Sequence, residues 1–332
     1  MLKSLLVSPS PHIHSGDTIE KNMYGVIIAL LPALVASVLF FGIDALLLTI
    51  VSIVSCLVFE FLIARYLLRE KQLTIQDGSA LLTGLLLAMN LPANLPIWIV
   101  IVGALVAIGL GKMAFGGLGN NIFNPAILGR VFLLVSFPQQ MTTWPAPRRL
   151  MEATDAVSSA TPLAIVKGIA KGTEGFSVDQ LSTAWDVVLG QMLGSLGEVS
   201  AIALLLGFVY LLIRRIITWH IPVSILLTAY LFAGIMHLIN PTLYVSPLIH
   251  IVSGGMLLGA IFMATDYVTS PMTKSGQIIY GVSIGLITML IRLFGAYPEG
   301  MSFAILIMNA FTPMLNRFTS PKLFGAGNLI QK

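Results

Sequence analysis

Apolar residues in this chain fall in long blocks, not in the alternating or three-and-four spacing of a half-buried strand or surface helix, and Gly, Pro, Asn and short charged clusters separate the blocks. A helix that crosses a bilayer needs about 20 mostly apolar residues. Runs of that kind lie at 23–42, 44–64, 77–91, 96–115, 122–138, 199–217, 221–240, 248–265, 277–295 and 300–317. Two of them are short and interrupted: 77–91 ends at Asn90, Pro92 and Pro96, and 248–265 ends at Asp266, Ser270 and Pro271. The pattern predicts an all-α polytopic membrane protein with ten transmembrane helices. It divides into a segment 1–22, a first five-helix repeat 23–138, a long connection 139–198, a second five-helix repeat 199–318 and a tail 319–332.

Composition sharpens the class. Charged residues make up 10% of the 332 positions and hydrophobic residues 57%, against about 25% charged in soluble domains. A soluble two-domain enzyme, a disordered chain and a disulfide scaffold are excluded. The single cysteine, Cys56, forms no internal bridge and holds no iron–sulfur cluster alone. The net charge of +4 reflects where Lys and Arg sit between spans and gives no sign of nucleic-acid binding. Alternate connections carry the positive charge: Lys3 and Lys21, then Arg65, Arg69 and Lys71, then Lys112, then Arg214 and Arg215, then Lys274, then Lys322 and Lys332. The connections between them, around Gly42, 92–96, 240–247 and 297–300, have none. Both termini are therefore expected in the cytoplasm and 139–198 outside, in a multi-pass protein of the cell (inner, cytoplasmic) membrane. The polar first 22 residues do not read as a cleavable signal peptide.

The halves echo each other. Asn121-Ile-Phe-Asn-Pro125, followed by Leu128 and Arg130, returns as Asn309-Ala-Phe-Thr-Pro313, followed by Leu315 and Arg317. Gly84-Leu-Leu-Leu-Ala-Met-Asn90 returns as Gly259-Ala-Ile-Phe-Met-Ala-Thr-Asp266. Five spans is an odd number, so the second copy is expected upside down relative to the first, with a central site where the interrupted spans correspond.

Several residues carry candidate chemistry. The stretch 112–126 packs Gly116, Gly117, Gly119, Asn120, Asn121 and Asn124 between two spans, combining backbone freedom with amides that donate and accept where water is scarce. No βαβ context makes it a nucleotide fingerprint. Asn124-Pro125-Ala126 also resembles the paired triplets of water channels, although the second copy reads Thr312-Pro313-Met314. Ionisable residues in or beside spans are functional candidates. Asp77 and Asp266 stand at the mouths of the interrupted spans as ion-path candidates able to hold Na⁺ or carry H⁺. Glu60 and Arg292 are expected to snorkel to the interface, and Arg130 to satisfy helix carbonyls. His237 and His250, at helix ends without a supporting motif, read as structural, and the 15 Met as packing.

In the long connection stands Asp155-Ala-Val-Ser158-Ser-Ala160-Thr161. With it the chain resembles, from about residue 8 to 325, the D-subunit family of the Rnf complexes, and more distantly the B subunit of the sodium-pumping NADH:quinone oxidoreductase. Segments 77–84, 115–126 and 259–266 carry the likeness as well. The family's flavinylation sequence has the form Asp-x-x-Ser/Thr-x-Ala-Thr, which Asp155, Ser158, Ala160 and Thr161 supply. Ser159 stands where some members have glycine.

The resemblance implies FMN joined through its phosphate to the Thr161 hydroxyl by a separate flavin transferase. It further implies a non-covalent riboflavin in the bundle, with Asn121 and Asn124 at its contact positions and Asp266 as a further candidate. Helix-end capping by the amides is the competing role. The implied activity is ferredoxin:NAD⁺ oxidoreduction coupled to Na⁺ or H⁺ movement, with the clusters, NAD site and ferredoxin contact on partner iron–sulfur and flavin subunits. Two alternatives stand beside it: a subunit of the quinone-reducing pump, which usually has a longer N-terminal extension, and a redox-silent channel or transporter for a small polar solute.

Overall fold

The computed structural model describes residues 17–69, 74–145, 165, 167–168, 194–198, 200–241, 243–297 and 299–321, and every element among them is helical. α1 (Ile19–Phe41) and α2 (Ile43–Leu62) are joined through the single residue Gly42, whose φ of 71° only glycine adopts readily. α2 runs on into a π-helical turn, Ile63–Leu67. α3 (Ser79–Met89) follows, then α4 (Ile97–Leu105) with its π-helical continuation Val106–Leu110, α5 (Pro125–Ser136) and the short α6 (Pro138–Met141). Beyond the long connection come α7 (Ala201–Ile213), α8 (His220–Ile239), α9 (Pro247–Val252), α10 (Met256–Leu258) with the π-helical Gly259–Met263, α11 (Lys274–Phe294) and α12 (Met301–Thr319).

Helix occurs at each of the ten predicted runs, and five helices are long and apolar enough to cross a bilayer: Ile19–Phe41, Ile43–Leu67, Ile97–Phe115, His220–Ile239 and Lys274–Phe294. Their outer faces expose Leu31, Val35, Leu39, Ile50, Val54, Leu227, Leu231 and Ile235, a surface suited to lipid and not to water. The chain is a helical membrane protein. α3, α5 and α7 are apolar but shorter, and the run 248–265 is broken between α9 and α10 at Gly254 and Gly255, both at positive φ.

The packing partners recur in the two halves. α2 packs on α3 and α4, and α8 on α9 and α11; α4 packs on α5, and α11 on α12; α1 against α7 and α5 against α12 join the halves. Close approach is built in at Gly84, where an added Cβ would stand 2.7 Å from Ile53 Cα, and Ser52 Oγ donates to the Gly84 carbonyl at 2.8 Å. One end of the bundle, the near end, gathers the start of α1, α3 and α5 and the end of α4 and α7. The far end gathers the ends of α3, α9 and α11 and the start of α12.

Helices that stop inside an apolar body leave carbonyls that no water can satisfy. Segment 194–198 crosses the end of α3, where Gly197 N–H donates to Met89 O (2.7 Å) and Leu196 N–H to Leu91 O (3.2 Å). At the end of α9, Arg292 donates to the carbonyls of His250 (2.5 Å), Ser253 (3.0 Å) and Gly254 (2.8 Å). Arg292 therefore does not snorkel as the sequence suggests. It is 3% exposed and turned inward by the carbonyls of the broken run.

Glu60 is likewise inward, at 0% exposure. Its two oxygens accept from Lys112 Nζ at 2.8 and 2.7 Å, and the same ammonium donates to Ser79 Oγ at 2.6 Å, so that α2, α3 and the end of α4 meet at one cation. Both expectations of snorkelling fail for one reason: each side chain has a buried partner that its neighbours in sequence do not reveal.

Two outcomes are expected from this packing. Lys112→Met leaves the Glu60 carboxylate buried without its cation and lowers stability by about 3–5 kcal/mol, read as a drop in the thermal midpoint in detergent that Glu60→Gln in the same chain partly restores. Gly84→Val pushes α3 off α2 and costs about 1–3 kcal/mol, while the neighbouring exchange Leu85→Met shifts the midpoint far less.

Candidate functional site

At the near end a cavity of about 740 Å³, open mouth included, lies among α1, α3, α5, α7 and the π-helical turn after α10. Its walls are mostly apolar, with Leu82, Leu86, Ile216, Ile261 and Phe262 on them. Polar groups converge from several elements: Ser79 and Thr83 from α3, Lys112 from the end of α4, Asn121 and Asn124 from the glycine-rich stretch, and Thr265 and Asp266 from beyond the broken run. Folding thus brings Asn121, Asn124 and Asp266, scattered over 145 positions of sequence, onto one surface.

Each has a distinct local role. Asn124 caps α5, its Oδ1 accepting from Ala126 N–H (3.1 Å) and Ile127 N–H (3.3 Å), and its Nδ2 donates across to the Met263 carbonyl (3.2 Å). It acts as a helix cap and also as a cavity wall. Asn121 Nδ2 donates to Phe123 O (3.1 Å), and its Oδ1 is buried with no hydrogen-bond partner, an acceptor facing an unfilled requirement. Asp266 accepts from Thr269 Oγ1 (3.0 Å). The neighbouring Tyr267 hydroxyl donates to the Ile216 carbonyl and ties the broken run to the connection after α7.

Asp77 is not on the cavity wall. It precedes α3 and accepts from both Ser79 N–H (2.8 Å) and Ser79 Oγ (2.5 Å), so it reaches the cavity only through Ser79 and, beyond it, Lys112. Thr161, Asp155, Ser158 and Ala160 lie outside the described residues.

The echoed motifs meet. With the Asn309 amide oriented so that both its ends are satisfied, Oδ1 accepts from Asn124 N–H (3.0 Å) while Nδ2 donates to Ile305 O (3.2 Å) and Tyr280 Oη (2.6 Å). The copies differ locally: Asn124-Pro125 opens α5, whereas Pro313 lies inside α12. Two Asn-Pro-Ala triplets do not face each other from two helix starts, as the channel alternative requires.

Arg130 also departs from expectation. It does not satisfy helix carbonyls; it donates to Asn90 Oδ1 (2.8 Å) and Ser302 Oγ (3.0 Å) and forms an ion pair with Glu299. Sequence reasoning leaves out Ser79, Lys112, Glu198 and Glu299 as interior groups. Lys112 had a visible signal, since it opens the glycine- and asparagine-rich stretch. Glu198 and Glu299, next to helix starts in polar connections, had none.

An apolar slot with a polar rim suits a flat heterocycle that carries N–H or O–H donors. The unpaired Asn121 Oδ1 asks for such a hydrogen; the Lys112 ammonium keeps its three on Glu60 and Ser79, and the Ser79, Thr83 and Thr265 hydroxyls give theirs to Asp77, the Ser79 carbonyl and the Ile261 carbonyl, so toward the slot these hydroxyls can only accept.

Comparison with known proteins places the chain. Residues 6–325 match the model of the NQR2, RnfD, RnfE family. The chain is 45% identical over 322 residues to the D subunit of the Na⁺-translocating ferredoxin:NAD⁺ oxidoreductase complex of Acetobacterium woodii, covering 97% of this chain and 96% of the relative. It is 44% identical over 325 residues to the D subunit of the proton-translocating ferredoxin:NAD⁺ oxidoreductase complex of Clostridium ljungdahlii, with 96% of each chain covered. Identity to the D subunit of the ion-translocating oxidoreductase complex of Salmonella paratyphi A is 37% over 347 residues, covering 96% of this chain and 98% of the relative. A match that runs through both halves and both echoed motifs leaves a single assignment: the chain belongs to the NQR2, RnfD, RnfE family.

Proposed function

We propose that the chain is the D-type membrane subunit of an ion-translocating ferredoxin:NAD⁺ oxidoreductase, a translocase component that carries FMN on Thr161 and riboflavin in the near-end cavity. The observation that carries the riboflavin assignment is the convergence of Asn121, Asn124 and Asp266 on one slot whose wall holds an unpaired buried acceptor. The relatives named for ferredoxin and NAD⁺, at 45 and 44% identity along the whole chain, favour that activity over a quinone-linked one. The flavins supply one- and two-electron chemistry.

The chain's own residues bind and orient. Asn121 Oδ1 accepts from a ring N–H, the Lys112 ammonium lends positive charge at the rim while its hydrogens stay on Glu60 and Ser79, and Asn124 is fixed as a helix cap so that its amide plane does not turn. Leu86, Ile261 and Phe262 exclude water from the slot. Asp266, beside it, is the ion-path candidate that senses a change of charge in the cavity, whether Na⁺ or H⁺ moves. Asp77 stands one hydroxyl further out.

Ten crossings in two inverted five-helix repeats complete the reading. The recurring partners of α2 and α8, the contact of Asn124 with Asn309, and the antiparallel pairing of α5 with α12 support it. The near end, with Lys21, Lys112 and Lys274, is assigned to the cytoplasm by its charge, which leaves Thr161 outside and open to a flavin transferase. Clusters and nucleotide sites are assigned to iron–sulfur and flavin subunits of the complex.

The test separates the two flavins. Denatured protein from its native host fluoresces under ultraviolet light, Thr161→Ala abolishes that signal, and the mass of the peptide 151–167 carries an added FMN. Asn121→Leu lowers acid-extractable riboflavin and leaves the in-gel signal intact. A dark wild-type band from cells with an active transferase refutes the FMN assignment, and undiminished riboflavin in Asn121→Leu refutes the cavity assignment.

A further inference from the structure

At the far end a second polar cluster lies away from the cavity. α3 has Ser79 at one end and Asn90 just past the other, so about 16 Å of helix separates the cavity rim from Asn90. Asn90 is 1% exposed; its Oδ1 accepts from Arg130 Nη1 and its Nδ2 donates to Leu86 O (2.6 Å) and Met263 Sδ (3.4 Å). Met263 O in turn accepts from Asn124 Nδ2. A row of polar atoms therefore runs from the cavity through Asn124, Met263 and Asn90 to Arg130, and there it meets two carboxylates. Glu299 pairs with Arg130 directly. Glu198, 5% exposed, lies on the other side: a Cβ built on Gly255 would stand 3.2 Å from Glu198 Oε1 and 3.6 Å from Arg130 Nη1, which puts both groups over one glycine.

The pairing is uneven. Arg130 is committed to Glu299, Asn90 and Ser302, and Arg292 to three carbonyls. What holds Glu198 is Ser195 Oγ, donating to Oε1 at 2.7 Å. Two buried guanidinium nitrogens of the cluster, Arg130 Nε and Arg292 Nε, have no hydrogen-bond partner, so the cluster is an incomplete network with open donor positions and not a closed structural bridge. The charged groups that bear on Glu198 are Glu299 before α12, Arg130 from α5 and Arg292 from α11, with His250 of α9 beyond Arg292, which donates to its carbonyl.

We propose that Glu198 is a proton-exchanging station at the far end of the bundle, linked to the near-end cavity by way of Arg130, Asn90 and Met263. A carboxylate there takes a proton from water and becomes a neutral acid, and it returns the proton to water; only an O–H bond forms and breaks. A proton fits better than a metal ion, because two guanidinium groups crowd the site and a hard cation requires a shell of oxygens. Burial, reinforced by Glu299, pushes the Glu198 carboxyl up to about 7, with Arg130, the Ser195 hydrogen bond and Arg292 pulling the other way. The sign follows: the acid form is held below neutrality and the charged form above it.

The inference rests on the proposed function only for the direction of traffic, and its test does not require turnover. Infrared difference spectra of the purified complex, titrated from about pH 5 to about pH 9, show a protonated-carboxyl band that disappears through neutrality. The band is absent in Glu198→Gln and kept in Asp266→Asn. Ser195→Ala removes a hydrogen bond to the charged form and raises the midpoint by about one pH unit, which keeps the test open should Glu198→Gln fail to assemble. A band unchanged in Glu198→Gln, an unmoved midpoint in Ser195→Ala, or a midpoint that follows Na⁺ concentration overturns the station. In reconstituted vesicles Glu198→Gln also loses most ferredoxin-driven cation uptake while the covalent flavin signal stays. Absence of ferredoxin turnover in the wild-type complex counts against the proposed activity, and the infrared titration then still decides the station.

Discussion

The constraint behind this structure is that helix ends cannot be left open in an apolar medium. An unsatisfied carbonyl or amide there costs several kcal/mol, so every break in a span has to be answered by a polar group from somewhere else in the chain. The end of α3 is answered by segment 194–198, the end of α9 by Arg292, and the start of α5 by Asn124. The close contacts follow from the same need. An added Cβ on Gly197 would lie 2.8 Å from Leu258 and 2.9 Å from Met89 O, so the strap lies flat on α3 only because that position lacks a side chain. The polar interior is thus a consequence of broken helices, and the cavity lies where several breaks converge.

The buried charges belong to the same logic but are not a source of stability. Desolvating Glu60 and Lys112 costs roughly what their attraction returns, and a well-packed apolar pair is often as stable. Retaining such a pair calls for another reason. The Lys112 ammonium offers one: it joins α2, α3 and the end of α4 while lining the cavity, so the ion pair fixes the position of a positive charge at the rim. Arg130 does the equivalent at the far end, joining α3, α5 and the approach to α12.

The hydrophobic blocks made helix and its approximate boundaries legible, because length and apolarity alone govern what can cross a bilayer. Asn121 and Asn124 were legible as candidates through the glycine- and asparagine-rich stretch and the family resemblance, and Asp266 because an ionisable residue beside an interrupted span is costly. Their convergence was not, since it depends on how α5 and the broken run approach each other. Glu60 and Arg292 were misread because snorkelling and inward pairing begin from the same sequence pattern, a charge near a span end. The partners that decide between them, Lys112 and the carbonyls of residues 250–254, lie 52 and about 40 positions away. The far-end carboxylates were invisible for the opposite reason: Glu198 and Glu299 sit in connections where acidic residues are ordinary, and only the fold turns them inward.

A pump requires that a charge change at one place alter the cation affinity of another, and that requires a shared element with differential interactions in two states. The row from Asn124 through Met263 and Asn90 to Arg130 is the physical candidate for that element. Its weakest link is the Asn90 amide on the Met263 thioether, a poor acceptor, and Met263 ends a π-helical turn, a geometry frequent at functional sites. On the proposed function, a small displacement of this turn would move Asp266 and release Asn90 together, tying the cavity and the far-end carboxylates to one coordinate. Relatives named for Na⁺ and for protons are almost equally similar to this chain. Overall similarity therefore does not tell one ion from the other, and on the proposed function the distinction falls to individual side chains along such a route and not to the broken-helix frame.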